Sequence, residues 1–329
     1  MKAWYIEEPG KIENLTWGEI ADVSPEKNQL VVKIISTALN PVDYKMIENG
    51  NPYWKYPHVV GVDLTGEVVE IGSEVHGFNI GDRVACHTNL SNNGAFAEKA
   101  VVDSDVTAKI PDGVSFDQAA TILCAGMTAY EGIVQKLNHF QKKSILIHAG
   151  SGGVGGFAIQ LAKELGLKVF TTASSYNHSW VKQLGADIAI DYRTEDVTSR
   201  ILDETNGEGV DLILNTVGRK EATEDLKRLT FSGQLAYIAG GPDTSDVKPF
   251  TLSPSIHEVA LGAAHQSGSA RARRNLAYMA QELMQRVKDK RLDAMVTEVL
   301  SRKELPEGLK KLKGRHVRGK MIVHMQEET

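Results

Sequence analysis

The chain has 329 residues, a length that suggests about two domains. Its 42% hydrophobic and 24% charged residues are those of an ordinary globular protein, and a chain of this size can bury about 75% of its unfolded surface. A net charge of −5 argues against nucleic acid or an anionic membrane surface as the main partner.

The opening, MKAWYIEEPG, lacks the basic-then-apolar order of a signal peptide. No run approaches the roughly 18 apolar residues of a membrane span. Cys86 and Cys124 are too few for a disulfide framework. These features predict a cytoplasmic protein, in which the N-x-S/T triplets at Asn14 and Asn89 are chance matches. Residues 1–120 read as short strands and turns, with "QLVVKIIST" (29–37), "GEVVEIG" (66–72) and "GFNIGDRVAC" (77–86) suggesting a compact β-barrel. From about 121 the texture changes. Apolar strands are expected in "SILIHAG" (144–150), "KVFTTAS" (168–174), "DLILNTVG" (211–218) and "QLAYIAGG" (234–241), with helical stretches between them. Such alternation implies an α/β, doubly wound parallel sheet covered on both faces. Leu276, Met279, Leu283 and Val287 then mark an amphipathic helix, followed by strand, short helix and strand.

Gly150-Ser151-Gly152-Gly153-Val154-Gly155 fits G-x-G-x-x-G, with a buried strand before it and a helix after it. Glycine permits the tight turn and close ligand approach, and the free N–H groups of the helix's first turn point at an anion. A pyrophosphate fits that site. A P-loop is excluded, because no Gly-Lys-Ser/Thr follows. An NAD site places Asp or Glu about 20 residues further on. No carboxylate occurs from Leu165 to Ala186, whereas Ser174 and Ser175 can donate to a 2′-phosphate and Tyr192 can cap the pocket. NADP(H) is therefore the expected cofactor.

At this point the sequence resembles the medium-chain dehydrogenase/reductase superfamily, and within it the zinc-independent quinone oxidoreductase branch. The matching pieces run through nearly the whole chain: "LNPVDYKMIENG" (39–50), "YPHVVGVDLTGEVVEIGSEVHGFNIGDRV" (56–84), "GAFAEKAVVD" (94–103), "CAGMTAYEGI" (124–133), the glycine turn and "VRGKMIV" (317–323). The resemblance implies a GroES-like β-rich catalytic domain (1–124 and 266–329), a Rossmann dinucleotide-binding domain (125–265), and an active site in the cleft. Zinc relatives carry a catalytic Cys, a Gly-His-Glu segment and a second Cys. Here Asn40, Val62 and Asp63 stand at the first three of those slots and only Cys124 survives. A catalytic zinc needs about three protein ligands, so metal-free catalysis is expected.

By resemblance, the backbone at Gly152, Gly153, Val154 and Gly155 holds the pyrophosphate, and Gly150 belongs to the same cofactor-binding turn. Thr128 meets the nicotinamide end, Asn215 and Gly240 face the cofactor crevice, and Arg315 reaches the 2′-phosphate. Many NADPH members carry a Lys after the serines, where this chain has Tyr176, Asn177 and His178. In the active-site loop, quinone reductases show D-x-Y-x-R; here Lys45 takes the Tyr slot and Ile47 the Arg slot, closer to alkenal and enone reductases. Asn40, Tyr44 and Lys45 are the catalytic candidates and Asp43 a structural residue. Tyr53, Trp54 and Tyr56 either line a pocket for a flat substrate or pack under a loop. The expected reaction passes hydride from NADPH to a quinone or the β-carbon of an enone, with fixed donors stabilising the substrate oxygen. The alternatives are a zinc-dependent alcohol dehydrogenase and a non-enzymatic NADPH-binding redox sensor. A short-chain reductase is disfavoured, since none of the nine tyrosines begins Tyr-x-x-x-Lys. The basic run Lys310 to Lys320 reads as a solvated surface, and "IHEVALGAAHQ" as an edge that supports a homodimer.

Overall fold

The computed structural model describes residues 1–315 and 317–326. In chain order the first elements are β1 (Lys2–Ile6), β2 (Thr16–Glu19), β3 (Gln29–Ala38), α1 (Pro41–Asn49), β4 (His58–Val59), β5 (Asp63–Ile71), β6 (Arg83–His87), β7 (Lys99–Asp103), β8 (Thr107–Lys109), α2 (Phe116–Thr121) and α3 (Met127–Tyr130). Next come β9 (Ser144–Ile147), α4 (Gly153–Glu164), β10 (Lys168–Thr172), α5 (His178–Gln183), β11 (Ile188–Ile190), α6 (Val197–Glu204), β12 (Val210–Asn215), α7 (Arg219–Asp225), β13 (Leu229–Tyr237) and β14 (Ser255–Glu258). The chain closes with α8 (Ala270–Lys288), β15 (Val296–Ser301), α9 (Leu305–Lys313) and β16 (Lys320–His324). Two compact units result. The first holds Met1–Met127, Leu261–Lys290 and the chain from Ala294; the second holds Thr128–Ala260 and Arg291–Asp293. The expected boundaries at 124/125 and 265/266 lie three and five residues from these breaks.

The first unit is strand-rich. Its larger sheet runs β15-β16-β3-β5-β6-β8, with β7 also paired to β3, and a smaller sheet runs β2-β1-β4. Strand β3 is the hub, antiparallel to β5, β7 and β16, so the C-terminal strand is laced into the N-terminal sheet. The β-branched run Val31, Val32 and Ile34 on β3 is wholly buried. Helix α1 starts after Asn40, which is extended, with Pro41 in the first turn; the Asp43 carboxylate accepts the Asn40 N–H at 2.7 Å. Helix α8 is capped by Ser269 and buries Leu276, Met279, Leu283 and Val287, the stripe read from the sequence.

The second unit is a six-stranded parallel sheet in the order β11-β10-β9-β12-β13-β14. Renumbered from β9, this is 3-2-1-4-5-6, the doubly wound dinucleotide-binding order. Adjacent β9 and β12 therefore mark the switch point, where α/β sheets bind ligands at the strands' carboxyl ends. Leu146, Phe170, Ile190, Ile213 and Leu235 pack with Ile201 of α6 and Ala222 of α7. Helix α4 contributes Phe157, Ala158, Ile159 and Leu161, all buried. Burial of each large apolar side chain contributes roughly 1.5–3 kcal/mol. The strands stop short of the expected ends, because His148–Gly150 form a turn and Ala173–Ser174 leave the strand ahead of a 3-10 turn at Ser175. Strand β13 starts five residues before the expected Gln234, and its pairing with β12 shifts register between Val210 and Leu212. Strand β14 lies at the sheet edge and pairs with β13 in parallel.

Candidate functional site

The second unit places the glycine turn where β9 ends and α4 begins. A Cβ on Gly150 would lie 2.1 Å from Thr171 Oγ1, and one on Gly155 2.3 Å from the Ala149 carbonyl oxygen. No side chain fits at either position, so both glycines are dictated by the turn's close packing. Gly152 precedes the helix, and Gly153, Val154 and Gly155 form its first turn. Their N–H groups have no carbonyl one turn earlier within the helix, whereas Gly156 N–H reaches Gly152 O at 2.9 Å. Donors on the positive end of a 12-residue helix fit a dinucleotide's pyrophosphate. Ala149, just before the turn, has φ of +53°. That left-handed conformation costs a non-glycine residue about 1–2 kcal/mol. The Ala149 N–H is anchored on Thr172 Oγ1 at 3.0 Å.

At the end of β10 the structure brings together Ser174, Ser175 and Tyr192. Ser174 Oγ lies 3.4 Å from the Tyr192 hydroxyl. That contact, together with nearby Arg193, holds the Tyr192 hydroxyl below its ordinary range. Arg193 lies over the rings of both Tyr176 and Tyr192, at 5.9 and 5.8 Å. This corner carries an acid after all. Asp191, at the end of the next strand, accepts the N–H groups of Ser175 and Arg193, each at 3.0 Å. The sequence window from Leu165 to Ala186 missed it because the acid belongs to the neighbouring strand.

The other cofactor candidates scatter. Asn215 does not present its side chain to a crevice. It is fully buried, donates to Asp225 Oδ2 at 2.6 Å, and accepts from Val217 N–H and Gly218 N–H at 2.9 and 3.1 Å. Its amide sets the loop after β12. Gly240 stands beyond β13 at φ +115°, a conformation suited to glycine. Thr128 is buried in α3. Arg315 belongs to the first unit, exposed just after α9 with φ +60°.

In the first unit, Asn40, Asp43, Asp63, Cys124 and Lys320 converge. The side chains of Asn40, Asp43, Asp63 and Lys320 are buried. Lys320 Nζ donates to Leu39 O at 2.9 Å and to Asn40 Oδ1 at 2.5 Å, and lies 3.7 Å from Asp63 Oδ2. Asn40 Nδ2 gives its hydrogens to Ala38 O and Asp63 Oδ2, at 3.0 and 2.7 Å. The Asn40 amide is therefore spent inside the protein, which removes it as a donor to substrate. Cys124 N–H, in a π-helical turn, reaches Asp63 Oδ1 at 2.8 Å. Asp43 Oδ1 accepts Val62 N–H at 3.2 Å. Burial pushes Asp63 up to about 6, and burial together with the Asp63 charge pushes Asp43 up to about 8. Burial likewise drives the Cys124 thiol well above its ordinary range. Tyr44 is half-buried and Lys45 exposed on α1, while Ile47 is buried beneath them.

Other expectations resolve into packing. Trp54 stacks on His58 at 3.9 Å and donates to Leu90 O at 2.6 Å, so it packs under its loop; Tyr53 is exposed. Of the basic run, Lys310 pairs with Glu307 and Glu13, Lys311 with Glu298 and Lys313 with Glu48, while Lys320 is buried. Lys320, Asp225 and His148 escaped the sequence reading. Asp63 is the exception, since the resemblance sets it at the Glu slot of the zinc relatives' Gly-His-Glu segment, without marking its burial beside Lys320.

Two family profiles match the chain: the alcohol dehydrogenase GroES-like domain over residues 26–112 and zinc-binding dehydrogenase over 153–288. A chloroplast envelope quinone oxidoreductase homolog of Arabidopsis thaliana is 35% identical, over 70% of this chain and 73% of its own length. A trans-enoyl reductase of Aspergillus terreus is 32% identical, over 71% of this chain and 84% of its own. A mycobacterial protein solved in complex with NADPH superposes with a TM-score of 0.84 at 26% identity, over 98% of this chain and 100% of that one. No helix among the described residues is long and apolar enough to cross a membrane. With its GroES-like domain, its Rossmann-type parallel sheet and these relatives, the chain belongs to the medium-chain dehydrogenase/reductase superfamily, among the quinone oxidoreductases.

Proposed function

We propose that this oxidoreductase is an NADPH-dependent, metal-free reductase of quinones or α,β-unsaturated carbonyls. The observation that carries the reading is the first turn of α4, whose N–H groups are open to an anion because Gly150 and Gly155 keep the turn closed around Ala149. Gly152, Gly153, Val154 and Gly155 hold the pyrophosphate by their backbones. Ser174, Tyr192 and the neighbouring Arg193 favour a 2′-phosphate; Asp191 opposes it, although two backbone N–H groups already engage its carboxylate. The NADPH-bound mycobacterial structure supports the same coenzyme.

The coenzyme supplies hydride; the chain's own task is to orient the acceptor and stabilise its oxygen as charge develops. Tyr44 and Lys45 are the donors assigned to that oxygen, since Asn40 is engaged elsewhere. A catalytic zinc does not fit. Val62 offers no donor, Asn40 accepts the Lys320 ammonium, and the half-buried Cys124 thiol has its proton favoured. The Lys320 charge stands beside Asp63 where a metal would have to neutralise it. The enone alternative to a quinone rests on Lys45 at the Tyr slot and on the trans-enoyl reductase relative. The free cysteines favour a reducing compartment such as the cytoplasm, and the edge strand β14 favours a homodimer.

The test is NADPH and NADH oxidation by purified protein against a panel of quinones, alkenals and enones, with and without a chelator. Turnover with NADPH that survives chelation is expected. Turnover abolished by the chelator, or tight NADPH binding with no acceptor reduced, would contradict the proposal, the second result favouring a sensor.

A further inference from the structure

We infer that Asp225, which no ligand-binding motif includes, is the positioning residue that sets both dinucleotide-binding loops at the switch point of the parallel sheet. The inference rests on the cofactor reading proposed above. Asp225 is fully buried at the end of α7. Three donors converge on its two oxygens: Arg228 Nη1 at 2.7 Å and His148 Nε2 at 2.8 Å on Oδ1, and Asn215 Nδ2 at 2.6 Å on Oδ2. Burial alone would raise its pKa, but the adjoining His148 imidazole, Arg228 and Asn215 outweigh burial and hold it below the ordinary range. It is therefore a carboxylate with no hydrogen to give, and each partner must turn a donor toward it.

That demand fixes two orientations. Asn215 must point its NH2 at Asp225, so its oxygen points at the Val217 and Gly218 N–H groups and shapes the loop after β12. His148 must point Nε2–H at Asp225, so Nδ1 faces Thr172 Oγ1 at 3.3 Å. Thr172 Oγ1 in turn accepts the N–H of Ala149, the left-handed residue that opens the glycine turn. Thr216 Oγ1 closes the circuit on His148 O at 3.1 Å. One carboxylate thus orders the ends of β9, β10 and β12 at once. Second-rank groups that hold a ligand-binding residue in place act on affinity through geometry, not contact. Among the described residues, His148, Glu221 and Asp225 are the one set near enough to share a metal ion. Arg228 Nη1 already donates to both carboxylates, so the protein supplies the cation itself and the cluster serves orientation.

The test is calorimetric titration of NADPH into wild type, Asp225→Asn and the reciprocal swap Asp225→Asn/Asn215→Asp, with unfolding midpoints and steady-state kinetics alongside. Asp225→Asn lets the Asn215 amide turn its donors on the loop N–H groups. NADPH Kd and KM should rise about 10- to 100-fold, with kcat at saturating NADPH within about threefold, a split that a purely structural role does not produce. The swap restores a donor facing an acceptor and should recover most of the affinity. If Asp225→Asn does not fold, Thr172→Val removes the acceptor for Ala149 N–H at nearly constant volume and should weaken NADPH in the same direction. NADPH affinity unchanged in Asp225→Asn, or in Thr172→Val where it stands in, overturns this inference alone; so does a swap no better than the single variant. Wild type that binds neither coenzyme overturns the proposed function and this inference with it.

Discussion

In the strand-rich unit, Asn40, Asp63 and Lys320 spend their hydrogen bonds on one another and on nearby carbonyls. In the parallel-sheet unit, three backbone N–H groups at the start of α4 have no partner within the helix, while Asn215, His148 and Asp225 at the strand and helix ends are engaged with one another. Both regions are buried and polar, and they differ in what is left over. The first has become a structural core of charges. The second pairs a satisfied side-chain network with backbone donors left open. Burial of polar groups is therefore no guide to a site; unspent donors on a preorganised backbone are.

The largest way to break this contrast is Lys320→Met. Removing the cation leaves the buried Asp63 carboxylate beside Asp43 with no compensating charge, which should cost about 3–5 kcal/mol of stability in urea unfolding. A loss under about 1 kcal/mol would mean the cluster is not the closed charge core described. Next is Gly155→Ala. Its Cβ would meet backbone atoms of Ala149 at 2.3 and 2.8 Å, so the turn must open. NADPH affinity should fall about 100-fold, read by fluorescence titration, while Gly152→Ala, whose Cβ would meet nothing closer than 3.5 Å, should fall much less.

A pH series sharpens the description of the charge core. Asp43 and Asp63 are raised from 3.8 to about 8 and about 6. An acid that holds its proton more tightly when folded stabilises the fold below its unfolded pKa. That contribution is lost as pH rises through the folded value. Stability should therefore decline between about pH 4 and 8. Asp43→Asn, which cannot titrate, should flatten the stretch from about 6 to 8, where one proton accounts for at most about 1.4 kcal/mol per pH unit. Urea midpoints across that range check it. The smallest effect is Ala149→Gly, which relieves a left-handed alanine and should gain no more than about 1 kcal/mol with NADPH affinity retained.

The sequence made legible what the backbone decides. Glycines at 150, 152, 153 and 155 between an apolar run and an amphipathic run predict strand, turn and helix, and the structure has β9 and α4 there. The periodicity of Leu276, Met279, Leu283 and Val287 likewise predicts α8. What stayed hidden depends on side chains meeting across long separations. Asp225 sits in "EATEDLKRL", which reads as any exposed amphipathic helix, and its partner His148 is 77 residues away. Lys320 lies in a basic run and meets Asn40 across 280 residues. The place of Asn215 at a strand end predicts that it faces the crevice, whereas its amide turns inward to the buried Asp225 carboxylate. Asp191 reached the serine corner from an adjacent strand of three residues, too short to show a pattern.

The most direct measurement is calorimetry of NADPH and NADH against the folded, metal-depleted protein. The account predicts saturable one-to-one binding of NADPH, tighter than NADH by about tenfold, since each such factor is about 1.4 kcal/mol and one charge-assisted phosphate contact suffices. Absence of heat with both coenzymes, or binding that returns only when zinc is restored, would contradict it.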